Sequence, residues 1–261
     1  MKSRTIIVVS LLVLLIIACS LSGNTGGNPP DQESLVDENP TEIPTPNPVP
    51  VSVNEGLASL NSYEMTVTFN SVGPDPAQSS TTTIKRQRSN DTNASSTSIN
   101  SEVVSPEEGD PQISDTTIYQ IGTDQCSGND MEGWSWTTST PAEAEMQGLI
   151  TSMIGLTPLI DDPVFVAAET VNGIPTNHFS FQVPGLGASS GAVVNINQGD
   201  YWLAVDGQYI VKYDLIVETS MAADAGVIHE EISIEVDQIN QPVDIVFPQS
   251  CLDASLVTPE P

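Results

Sequence analysis

The chain has 261 residues, and its 34 Asp and Glu residues against six Lys and Arg residues give a formal net charge of −28. This balance excludes a nucleic-acid partner, because only a basic surface neutralises phosphates. It also argues against electrostatic docking onto anionic lipid and favours a self-repelling surface.

Residues 1–18 have the pattern of a bacterial signal peptide. Lys2 and Arg4 precede an apolar run over residues 6–17, which is too short to span a bilayer comfortably. The run ends in Ile-Ile-Ala-Cys19, which resembles the lipobox of bacterial lipoproteins. The resemblance implies cleavage before Cys19 and a diacylglycerol on its thiol, whose two acyl chains give stable anchoring outside the cell membrane. An ordinary secretory peptide and an uncleaved anchor helix are the alternatives.

Residues 19–50 are predicted to form a lipidated, disordered tether. From position 20 they hold seven prolines and five acidic residues, with no base and no apolar periodicity. A second disordered segment is expected at residues 254–261. The residues between, 51–253, fit one domain with a substantial core.

The domain is predicted to begin with a short helix and to continue mainly as antiparallel strands. Val53, Leu57 and Leu60 have helical spacing, and residues 63–70 then alternate apolar with polar side chains. Asp206-Gly207 supplies a two-residue turn, which predicts a hairpin over residues 201–217. The same alternation predicts strands with one solvated face in further segments: 116–121, 177–183, 209–217 and 228–236. Weak or edge strands with loose connections are predicted near two polar segments: 81–88 and 96–104.

A longer amphipathic helix is predicted from Thr140 to Gly155. The threonine can cap, Pro141 suits the first turn, and Glu143 completes a capping box. Gly155 ends the helix. Its apolar face, which must cover something apolar, consists of Met146, Leu149, Ile150, Met153 and Ile154.

This order of elements resembles the LolA/LppX superfamily of lipid and lipoprotein carriers, and its LppX/LprG-type lipoproteins in particular. The first helix ends in Leu-Asn-Ser-Tyr63, and residues 171–179 and 201–209 sit where that family has strand starts and a hairpin. Residues 232–248, with the sequence Ile-Ser-Ile-Glu-Val-Asp-Gln-Ile-Asn-Gln-Pro-Val-Asp-Ile-Val-Phe-Pro, resemble its closing strands. The resemblance implies an α+β fold: a curved antiparallel half-barrel sheet with two or three helices across its concave face.

Family membership further implies an apolar cavity for acyl chains between sheet and helices. The expected function is therefore to bind or carry lipid or other apolar ligands without chemistry. The alternative is a cell-surface interaction module with a filled core and no ligand. The expected lining consists of Met65, Val67, Phe69, Trp134, Trp136, Met146, Leu149, Ile150, Met153, Phe179 and Phe181. Trp134 and Trp136 share one face if their segment is a strand, and a core pair or a sugar-stacking site are the other interpretations.

The remaining cysteines, Cys126 and Cys251, form an even pair in an oxidising compartment, which predicts a disulfide. A catalytic thiol is the alternative. His178 lies on the polar phase of its strand, beside Phe179, and a solvated or hydrogen-bonded histidine is expected.

No enzyme, cofactor or metal site is expected. The sequence contains no Ser-His-Asp elbow, phosphate-binding glycine loop, zinc spacing or dinucleotide fingerprint. Asp161-Asp162 and Glu107-Glu108 lack the alternating oxygen ligands of a calcium loop.

Overall fold

A computed structural model describes residues 53–75, 77–105, 110–137, 160–183, 193–220 and 226–256. These residues form one antiparallel sheet of eleven strands and two short helices, α1 (Val53–Ala58) and α2 (Gln249–Ser255). The strands are β1 (Ser62–Val72), β2 (Ser79–Ser89), β3 (Ala94–Val104), β4 (Gln112–Ile121), β5 (Asp124–Asn129), β6 (Gly133–Thr137), β7 (Asp161–Val171), β8 (Ile174–Gln182), β9 (Val193–Ala204), β10 (Ile210–Ser220) and β11 (Val227–Asp237). Among the described residues, no helix is long and apolar enough to cross a membrane.

The sheet consists of two consecutive runs of strands that meet where the first strand pairs with the last. The strand order is β6-β5-β4-β3-β2-β1-β11-β10-β9-β8-β7, and every neighbouring pair is antiparallel. β6 and β7 are the two edges, so the sheet is open.

The two faces of the sheet can be followed across the strands, because directly paired residues of antiparallel strands project to the same side. Val67 of β1 opposes Ile84 of β2 and Ile234 of β11, and Ile234 in turn opposes Tyr213 of β10. We call the side that carries Val67 the inner face, and the side that carries its neighbour Thr66 the outer face. The inner face holds most of the buried core, to which α1 adds Leu57 and the turn after it adds Leu60.

The second helix lies on the outer face. Its buried Cys251 forms a disulfide with Cys126 of β5, as predicted. Cys126 opposes Trp136 of β6, and the ring of Trp136 packs against Phe247 just before the helix, with centroids 4.6 Å apart. The described residues thus hold fewer helices than the two or three expected across the concave face, since of their two helices only α1 joins the inner-face core, and the helix predicted over residues 140–155 lies outside the described residues.

The two polar segments expected as weak or edge strands are instead regular strands of the interior. β2 and β3 are eleven residues long, and each is paired along both sides. Five of their ten inner positions are Ser or Thr, and β2 also places Arg86 and Arg88 on this face, so apolar alternation cannot reveal these strands, whereas threonine still favours a pleated strand. The pattern also missed β7, which pairs with β8 through an Asn172-Gly173 turn at positive φ angles of 53° and 80°.

The predicted hairpin is confirmed, but its connection comprises the five residues 205–209 rather than a two-residue turn. β9 and β10 pair through a short connection in which Gly207 has a φ angle of +84°. A residue with a side chain rarely adopts that angle, so glycine is the natural residue there.

Candidate functional site

The candidate site is the apolar part of the inner face, formed by β1 and by β8 to β11. Alternation places every second residue of these strands on this face. Met65 and Val67 are each 1% exposed, and Phe179 is fully buried. Phe69 is half-buried at the end of the same row of β1. The predicted residues of β1 and β8 are thus brought onto one continuous surface.

Aromatic rings cover the centre of this surface. Phe179 stacks on Tyr201 with centroids 5.1 Å apart, and Phe181 lies 5.3 Å from the ring of Tyr213. Phe181 faces Gly199 across the β8 and β9 pair, where a side chain would collide with its ring. The rings form a continuous aromatic cluster, which suits both close packing and contact with extended acyl chains.

Among the polar groups of this surface are the hydroxyl of Tyr213 and the carboxyl of Glu230. The hydroxyl of Tyr213 is buried and has no hydrogen-bond partner in the described part of the chain. Burial raises the pKa of Tyr213 above its usual value near 10, so the hydroxyl stays protonated and can donate. Glu230 of β11 projects from the same face, opposite Ser71, and burial raises the pKa of its carboxyl.

The structure separates the two tryptophans from the predicted lining. Trp134 and Trp136 do share one face of β6, as expected for a strand, but the register from β1 to β6 places both on the outer face. Trp134 lies 6.1 Å from the ring of Tyr119, and Trp136 packs on Phe247. The prediction that both tryptophans line the same surface as Met65 is therefore corrected. The face on which they lie is set by the register of every strand from β1 to β6, and the local sequence pattern does not contain that register.

Five predicted site residues fall outside the described residues. They are Cys19 and the apolar face of the predicted helix: Met146, Leu149, Ile150 and Met153. Their places in the site therefore stay predictions.

His178 belongs to a polar cluster on the outer face. Its Nδ1 lies 3.1 Å from Glu169 and its Nε2 lies 2.9 Å from Asp200. Its ring stacks on Trp202 with centroids 4.4 Å apart, and Lys212 lies 4.6 Å from the centroid of that indole. The expected hydrogen-bonded histidine is thus observed. In the described ranges, no group of His, Cys, Asp and Glu side chains could hold a metal ion.

No protein-family model matches the chain, and no curated protein matches it. Among solved structures, it is similar to the lipoprotein LppX of Mycobacterium tuberculosis, with 12% identity, a TM-score of 0.36, and coverage of 74% of this chain and 94% of that one. LprF of Mycobacterium bovis gives 14% identity, a TM-score of 0.39, and coverage of 75% and 94%. A DUF1329 family protein of Desulfovibrio piger gives 7% identity, a TM-score of 0.23, and coverage of 74% and 93%.

The sequence of the chain resembles the LppX/LprG-type lipoproteins, and a structure of LppX is among the solved structures to which its fold is similar. Identities and TM-scores this low leave the function of the chain to be argued from its own residues.

Proposed function

We propose that the chain is an extracytoplasmic lipoprotein, anchored to the bacterial membrane through Cys19, that binds or carries lipid or other apolar ligands. The ligand lies on the apolar part of the inner face, between the sheet and covering helices. The observation that carries the proposal is the extent of this face relative to the one short helix that joins its core in the described residues.

The five strands of this apolar part lie about 4.8 Å apart, so it extends roughly 20 Å across the sheet and about 30 Å along each strand, whereas six helical residues extend only about 9 Å. An apolar sheet face must be covered by a second layer. By its sequence, the predicted helix over residues 140–155 is suited to contribute to that layer. Its methionines, Met146 and Met153, adapt to irregular apolar shapes and so suit contact with variable acyl chains.

The hydroxyl of Tyr213 favours a ligand over a permanently filled core. A buried tyrosine hydroxyl normally has a hydrogen-bond partner, and leaving one unpaired costs about 1–3 kcal/mol. Phenylalanine would fill the same space at no such cost. An oxygen of a bound lipid would satisfy this hydroxyl while its chains cover the rings of Phe179 and Phe181.

The decisive experiment is native mass spectrometry of the full chain carrying Cys19→Ala, produced in bacteria. Removing the thiol removes the chain's own acyl groups, so that any lipid mass must come from a bound ligand. We expect a co-purified lipid in a one-to-one ratio. A clean protein mass, with no lipid in an organic extract of the same sample, supports the filled interaction module instead.

The anchor is tested separately by metabolic labelling with a radioactive fatty acid. We expect label on the wild-type chain and none on the Cys19→Ala variant, because the lipid is attached to that thiol. A matched Cys251→Ala variant should keep its label. Label that persists on the Cys19→Ala variant would contradict the anchor.

A further inference from the structure

We propose that the ligand is an anionic amphiphile, whose negatively charged headgroup is bound by Arg86 while its apolar chain lies on β1 and β8 to β11. This inference rests on the proposed function and adds the class of ligand. Arg86 is only 8% exposed and projects from the inner face of β2, between Met65 of β1 and Thr97 of β3.

Arg86 has no counter-charge in the described part of the chain. Its Nε is buried without a hydrogen-bond partner, and no ion pair of its guanidinium is present among the described residues. Arg88, two residues further along the same face, donates instead to Asn90 at 2.9 Å and to Asn93 at 2.8 Å. The chain has 34 acidic residues and only six strong bases, so most of its bases could find an acidic partner. A buried guanidinium without a counter-charge among the described residues is therefore unexpected in this composition.

The acidic residues are directed away from Arg86 by the strand register. On strands β1 to β6 and β8 to β11, Glu230 is the single acidic residue of the inner face. It opposes Ser71, whereas Arg86 opposes Met65, six residues earlier on β1. Six residues span about 20 Å along a strand, so the two groups cannot pair. A buried charge without a partner is costly, and a bound anion removes that cost.

Arg86 also lies where the inner face changes from apolar to polar. On one side, β1 and β11 present Met65, Val67, Ile234 and Val236, all nearly fully buried. On the other side, β3 to β5 present mainly hydroxyl and amide side chains around Ile118, among them the buried Ser95, Thr97, Gln120 and Gln125. A molecule with an apolar chain and a polar head matches this division, with its charge at the boundary.

The chemistry of the guanidinium defines the headgroup. Its planar fork of N–H donors fits the two oxygens of a carboxylate or a phosphate, which are the anions of fatty acids and of acidic phospholipids. The shared requirement is therefore a compact oxyanion at the end of an acyl chain.

The test compares a fluorescent probe, anthroyloxy-palmitic acid, with its methyl ester at pH 8, using the full chain with Cys19→Ala. The two probes differ in charge and hardly in apolar surface. Charge-assisted hydrogen bonds contribute about 1.5–3 kcal/mol, so we expect the acid to bind roughly 10- to 100-fold more tightly than the ester. Arg86→Met should abolish this preference without weakening binding of the ester.

Lys85→Met is the matched control. It removes the same charge from the same strand, but Lys85 is exposed on the outer face, so the preference for the acid should persist. Arg86→Lys keeps the charge and should retain part of the preference, which provides a second comparison if the methionine variant does not fold.

Equal binding of acid and ester by the wild-type chain, or an undiminished preference in a folded Arg86→Met variant, would overturn the inference while leaving the proposed function standing. Failure to bind either probe, with no co-purified lipid, would instead overturn the proposed function. Displacement of the bound probe by palmitate or by hexadecyl phosphate shows whether the site prefers a carboxylate or a phosphate headgroup. Displacement by inorganic phosphate at the concentrations at which hexadecyl phosphate acts would show that no chain is needed, and would overturn the amphiphile.

Discussion

The ring of Phe181 occupies space that any side chain at position 199 would need. It lies between two other buried rings, with centroids 5.8 Å from Tyr201 and 5.3 Å from Tyr213, and has little room to move. A Cβ added to Gly199 would collide with atoms on both sides of that ring. The aromatic cluster of the inner face thus depends on a residue that has no side chain.

We therefore predict that Gly199→Ala lowers the free energy of unfolding by about 1–3 kcal/mol, the usual cost of overpacking a close-packed core. Urea unfolding of the full chain with Cys19→Ala measures the change. Combining it with Phe181→Leu should recover part of the loss, because the smaller side chain leaves room for the added methyl group. Strictly additive losses in the double variant would show that the two positions do not compete for space.

For single residues, the apolar and polar alternation in the sequences of β1 and β8 is sufficient to predict that Met65, Val67 and Phe179 lie on one buried surface. The same reasoning could have found Arg86, because it is in phase with Ile84 on β2 and so on the buried side. It was overlooked because an arginine between Lys85 and Arg88 has the composition of a solvated face. Burial of one charge among three neighbouring cations depends on packing from other strands, which the local pattern does not contain.

Among the strands, the sequence predicts those whose one face is apolar and the other polar, such as β1, β10 and β11. It predicts β3 only as a weak or edge strand, because most of the inner positions of β3 are hydroxyl side chains, and it misses β7, whose exposed apolar residues interrupt the alternation. The Asn172-Gly173 pair was a readable signal for the hairpin that contains β7. The face of Trp136 was not predictable, since it follows from five successive pairings between β1 and β6.

A disulfide links α2 to β5. The disulfide joins residues separated by 125 positions, and in the chain-entropy model a loop of that length contributes about 4–5 kcal/mol to stability, less any native strain. We expect the Cys126→Ala, Cys251→Ala double variant to lose up to that amount in urea unfolding. Its tryptophan fluorescence should also change, because α2 and Phe247 are no longer held beside Trp136.

Thiol titration provides the control for this prediction. The denatured, unreduced chain carrying Cys19→Ala should contain no free thiol, whereas two free thiols would remove the bridge and reopen the reactive-cysteine interpretation. A double variant as stable as the wild type would mean that the contact of Phe247 with Trp136 suffices to hold the C-terminal segment.

At the scale of the whole molecule, the open sheet has an exposed edge that the charge of the chain helps to protect. β7 is the last strand on its side of the sheet, so the backbone N–H and C=O groups along its free edge have no neighbouring strand among the described residues. It also exposes three consecutive apolar side chains, Val164 at 62%, Phe165 at 37% and Val166 at 52%. Such an edge can pair with another copy unless something keeps the copies apart. A net charge of −28 provides that repulsion at neutral pH.

We predict that the full chain with Cys19→Ala stays dispersed at pH 7 and low salt but self-associates as the pH falls toward about 4, where Asp and Glu side chains take up protons. Dynamic light scattering measures the change. Val166→Lys should reduce association, because a lysine on the strand opposes edge pairing. Val205→Lys adds the same charge at an exposed position of the hairpin between β9 and β10, away from this edge, and should protect less. Equal protection by both variants would mean that net charge alone governs association and that β7 is not the contact.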